Sequence, residues 1–73
     1  MATVELKSEV TGAVWKIKMQ AGDAVAEGDI VMIMESMKME IPVIAEEDGT
    51  LKQLIVKEGE PVTEGQAVAI LEI

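Results

Sequence analysis

Ile30-Val31-Met32-Ile33-Met34-Glu35-Ser36 can be read in two ways. Methionine, glutamate and lysine are good helix formers, and the run keeps that composition as far as Glu40, so taken alone it suggests a helix. A second copy decides. Ala67-Val68-Ala69-Ile70-Leu71-Glu72-Ile73 stands 37 residues later; it is short and apolar and begins just after Gly65, which suits a strand. Two copies of one fold share one state, and Pro42 interrupts any helix continuing from the first copy. Both segments are read as strands.

The duplication extends along the whole chain. Residues 4–36 align without a gap onto 41–73, so that Glu9 falls on Glu46, Gly12 on Gly49, Gly22 on Gly59, Val25 on Val62, Gly28 on Gly65 and Glu35 on Glu72. Gly22-Asp23 and Gly59-Glu60 open matching loops that close at Glu27-Gly28 and Glu64-Gly65, and Thr11-Gly12 matches a further turn signal at Asp48-Gly49. The six glycines are accordingly assigned to turns. Strands are expected at 4–7, 13–19, 30–35, 39–44, 51–56 and 67–73. Within the second of these, Trp15, Ile17 and Met19 alternate with Lys16 and Lys18, the period of a half-buried strand, and Trp15 is read as a partly buried packing residue.

Two similar β halves, each too small to close a core alone, should pack on one another. The expected fold is all-β: a flattened barrel or sandwich of two small antiparallel sheets, a barrel-sandwich hybrid with quasi-twofold symmetry. Residues 1–73 are expected to form one domain, with halves 4–36 and 41–73. Only Met37, Lys38, Met39 and Glu40 lie between the halves, which puts Lys38 at a hairpin tip. The position equivalent to Lys38 in the second copy would be 75, beyond Ile73, so the chain ends belong away from the lysine. A two-residue hairpin turn needs positive φ at both central residues and normally uses Asn-Gly or Asp-Gly. Met37-Lys38 ignores that preference, which hints at function.

Composition removes most competing functions. The chain has no Cys or His, and its only serines are Ser8 and Ser36, so thiolate metal sites and the usual nucleophile–base pairs are absent. No metal site is expected, and the chain is read as no enzyme by itself. A net charge of −8 without arginine disfavours nucleic acid and anionic membranes. The N-terminus lacks a charged region followed by an apolar run, and the longest uncharged apolar run, 30–34, is too short to cross a bilayer. A cytoplasmic chain, monomeric in isolation, is expected.

Glu35-Ser36-Met37-Lys38-Met39-Glu40 resembles the Glu-Ala-Met-Lys-Met signature of biotinyl domains, the carriers of biotin-dependent carboxylases. The resemblance covers essentially the whole chain, including the 35 residues from Lys38 to the C-terminus. Ser36 departs from the usual alanine but keeps a small residue. The ungapped repeat also leaves no room for the protruding loop of some acetyl-CoA carboxylase carriers. The resemblance implies that a biotin protein ligase joins biotin through its carboxyl group to the Lys38 amine. It further implies loading at a biotin carboxylase site and delivery to an acceptor at a carboxyltransferase site. Met37 and Met39 would be recognition elements, adaptable apolar surface for more than one partner, with Ser36, Glu35 and Glu40 helping to define the face. Glu35 repeats as Glu72, so a structural role for it is at least as strong. The lipoyl domains share the fold but usually place an acidic residue before the lysine and alanine after it. A lipoate carrier of a 2-oxoacid dehydrogenase complex is thus the nearest rival, and an unmodified structural or adaptor module the rival of another class.

Overall fold

The structure, a computed structural model, describes residues 2–73. Among the described residues, eight strands follow one another without a helix: β1 (Thr3–Lys7), β2 (Gly12–Ile17), β3 (Ala24–Val25), β4 (Ile30–Ser36), β5 (Met39–Ile44), β6 (Gly49–Leu54), β7 (Pro61–Val62) and β8 (Ala67–Glu72). They form two four-stranded antiparallel sheets, ordered β1-β8-β6-β3 and β5-β4-β2-β7. This is the expected flattened sandwich. Six of the strands answer to expected segments, although β2 and β6 each end two residues early. The two-residue strands β3 and β7 lie in segments read as loops.

The repeat is preserved in detail. Each strand of the first half has its partner 37 residues on, and each sheet takes two strands from each half. Loop bonds reciprocate across the halves: Gly22 N–H donates to the Leu51 carbonyl and Gly59 N–H to that of Val14, both at 2.7 Å. Neither half satisfies its backbone without the other, the reciprocity that a quasi-twofold sandwich requires.

The core lies between the sheets. Val14, Val31, Met32 and Met34 face Leu51, Val68, Ala69 and Leu71, all essentially inaccessible. β4 and β8 each bury two successive residues, Val31-Met32 and Val68-Ala69, at a register shift against a neighbouring strand, and removing such side chains from water is the main force closing the sandwich. The alternation expected in β2 is broken. A bulge between Val14 and Lys16 leaves Trp15 unpaired and 46% exposed, off the core, while Val14, Ile17 and Met19 face inward. An extra residue in one strand shifts every later side chain to the other face, which a plain period of two cannot anticipate. β6 carries the same bulge between Leu51 and Gln53, around Lys52, the repeat partner of Trp15.

Candidate functional site

β4 and β5 form a hairpin whose last pairs are Met34↔Ile41, Glu35↔Glu40 and Ser36↔Met39, leaving Met37 and Lys38 as a two-residue turn. Their φ angles are 50° and 67°. Positive φ at both central residues is the requirement of a type I′ turn, which matches the right-handed twist of the strands it joins. Every other residue described with positive φ is a glycine: Gly22, Gly28, Gly59 and Gly65. Holding side-chain-bearing residues there costs on the order of 1–2 kcal/mol each. The paired strands on either side must supply that stabilisation.

Two contacts fix the base of the tip. Ser36 Oγ donates to the Thr11 carbonyl at 2.8 Å, and Thr11 Oγ1 in turn accepts from Glu64 N–H at 3.0 Å. Gly12 lies where β2 crosses closest to β4, and a Cβ there would collide with the Glu35 carbonyl oxygen. Gly49 stands in the same relation to Glu72. Gly12 and Gly49 therefore correct the assignment of all six glycines to turns. Both sit within strands, and what they permit is close backbone approach rather than a left-handed conformation.

At the apex, Met37 is 93% exposed and Met39 63%, and Lys38 is exposed between them. Two large apolar side chains held in water beside one amine serve no packing purpose. Glu35 and Glu40, both exposed, stand directly opposite each other one pair below the turn, where like charges repel. The structure thus brings Glu35, Ser36, Met37, Lys38, Met39 and Glu40 onto one projecting hairpin. Thr11 and Gly12, which buttress it, were missed in the sequence, since only the β2–β4 crossing shows that they touch the tip.

The arrangement offers a primary amine on a fixed turn, clear of the sheets, with adaptable apolar surface on both sides. That suits acylation by an enzyme whose active site must enclose the lysine. No three or more acidic side chains among the described residues are grouped to hold a metal ion.

Comparison with known proteins gives a consistent result. The family model described as "Biotin-requiring enzyme" matches residues 2–71. The "Biotin/lipoyl attachment protein" of Bacillus subtilis is 43% identical over 60 residues, 82% of each chain. The "Biotinylated protein TB7.3 homolog" of Mycobacterium leprae is 31% identical over 67 residues, 92% of this chain and 94% of that one. Among solved structures, the urea carboxylase of Kluyveromyces lactis superposes with a TM-score of 0.93 at 38% identity, covering 99% of this chain and 6% of that one.

Proposed function

The chain belongs to the biotin/lipoyl attachment family, and on that premise we propose that it is a biotin carboxyl carrier with Lys38 as its attachment residue. The observation that carries the reading is the placement of Lys38 at the apex of a strained turn between two exposed methionines. Attachment forms an amide between Lys38 Nζ and the carboxyl carbon of biotin, activated by a biotin protein ligase as the acyl adenylate; AMP leaves, and the amine gives up its proton. A free lysine amine is protonated at neutral pH, and the carboxylates nearest the turn, Glu35 and Glu40, are far weaker bases than an amine, so removal of the proton falls to the ligase. Bound biotin supplies a ring nitrogen able to carry a carboxyl group between a biotin carboxylase site and a carboxyltransferase site.

The chain's own residues position the amine. The β4–β5 ladder holds the turn, Ser36 ties it to the Thr11 carbonyl, and Met37 and Met39 offer the apolar contact. Tethering raises the effective concentration of the carried group at each partner. Lipoate is the second reading, favoured by one relative's description as a biotin or lipoyl attachment protein. Met37 and Met39 weigh against it.

The test is Lys38→Arg. Avidin blotting and intact mass of protein made in its native host should show biotin on the wild type and none on the variant. Melting temperature should barely move, because substitutions at such exposed positions usually stay within about 0.5 kcal/mol. A lipoyl mass increment would select the second reading, and residual biotin on the variant would put attachment elsewhere.

A further inference from the structure

The chain sorts its sulfur into two environments. It has no cysteine, so methionine carries all of it. Met32 and Met34 lie at 0% exposure between the sheets, and Met19 packs, partly buried, against the same core. Met37 and Met39 stand exposed at the hairpin apex and make no part of that core. Oxidation of a thioether follows its access to the oxidant. Among the described residues, the exposed thioethers are the two that flank Lys38.

The repeat separates two uses of methionine. The counterparts of Met19, Met32 and Met34 are Val56, Ala69 and Leu71, all buried, so in the core methionine stands for an aliphatic side chain. The counterpart of Met39 is Ala2, and that of Met37 would fall beyond Ile73. Neither tip methionine therefore answers to a packing position of the duplicated fold. Leucine would also give the tip apolar surface. What methionine adds is flexibility and a sulfur that turns from apolar to polar on gaining one oxygen.

We propose that Met37 and Met39 form a reversible oxidation site that gates acylation of Lys38, a reading that rests on the carrier function above. The oxidant is a peroxide. A sulfur lone pair attacks one peroxide oxygen and the O–O bond breaks. The sulfur loses two electrons and keeps that oxygen as a sulfoxide, while the other oxygen leaves as hydroxide and takes up the proton of the first to become water. A methionine sulfoxide reductase reverses the step, converting two thiols to a disulfide and releasing the oxygen as water. Each sulfoxide sets a hydrogen-bond acceptor where the ligase must cover apolar surface, and burying it without a donor is unfavourable. The amine itself is unchanged. The core keeps the fold, because Met32 and Met34 are closed to solvent.

The test treats unbiotinylated carrier with graded hydrogen peroxide. Intact mass and fragment mapping should place one oxygen on each of Met37 and Met39 before any reaches Met19, Met32 or Met34, with the urea unfolding midpoint retained. With a purified biotin protein ligase, biotin and ATP, the oxidised carrier should be labelled tenfold more slowly or worse. Reductases for both sulfoxide epimers, supplied with a dithiol, should restore the rate. In Met37→Leu with Met39→Leu, peroxide should leave the variant's own rate unchanged, which also controls for Met1. The proposal is overturned if carrier oxidised at both positions is labelled at the untreated rate, or if a core methionine takes oxygen first. It is equally overturned if oxidation lowers the urea midpoint enough to unfold the carrier, or if peroxide slows the leucine variant as much as the wild type. Untreated wild type that takes no biotin removes the carrier function itself, and the gate with it.

Discussion

Gly12 shows how much one missing side chain can control. Its Cα lies so close to β4 that an added Cβ would meet the Glu35 carbonyl oxygen, and backbone cannot swing aside as a side-chain end can. Overpacking of this sort costs typically about 1–3 kcal/mol. Gly49 meets the Glu72 carbonyl in the same way, but at the chain ends, where Ile73 N–H bonds the Ala2 carbonyl. The pair separates stability from function. Gly12→Ala and Gly49→Ala should each lower the unfolding free energy by about 1–3 kcal/mol in urea titrations. Only Gly12→Ala should also slow biotinylation at a temperature where both variants are folded, because only its displacement reaches the hairpin. Equal slowing in both would reduce Gly12 to a stability residue. In sequence the two glycines look like the other four, since a turn and a close approach use the same residue for different reasons. The approach becomes visible only with the partner strand in place. Lys38 and its methionines, by contrast, were legible, because the repeat leaves them outside both copies.

At the scale of the element, the hairpin combines regular strands with an unfavourable turn. The ladder from Ile30↔Ile44 to Ser36↔Met39 was readable as two strands from the apolar patterning and the duplicate. The bulge at Trp15 was not, because an unpaired residue depends on the spacing of neighbouring strands rather than on local preference. The same limit hid β3 and β7, two residues each, whose pairing is made by the opposite half. The methionines at the turn invite a direct exchange. Met37→Asp together with Met39→Ala gives the tip a lipoyl-like sequence on the same ladder. Asp tolerates positive φ better than Met, whereas the new carboxylate adds repulsion to Glu35 and Glu40, and stability should stay within about 0.5 kcal/mol. Assayed with both ligases, the double variant should lose most of its biotinylation and gain lipoylation, since specificity is a difference between two affinities. Equal biotinylation of the two proteins would mean that the ligase reads the hairpin without its methionines.

Across the whole molecule the acids are the dominant feature. Fourteen Asp and Glu face 6 lysines, and none of the 14 is buried. Converting Lys38 to an amide removes one positive charge and takes the formal charge from −8 to −9. A carrier must meet each partner repeatedly, and sites that bind bicarbonate, ATP or acyl-CoA are commonly basic. Long-range attraction then raises the rate of encounter more than the strength of the complex. Salt acts on that term directly, because the screening length falls to about 8 Å at physiological ionic strength. The rate constant for carboxylation of the biotinylated carrier by a biotin carboxylase, measured well below saturation, should decline steadily as salt is added. The kcat at saturating carrier should change far less, since it no longer depends on encounter. Neutralising acids at the end of the hairpin opposite the tip, as in Glu27→Gln with Glu47→Gln, should flatten the salt dependence without touching the turn. A rate that holds or increases with salt would remove steering, and the acids would then serve only to keep an apolar-faced carrier in solution.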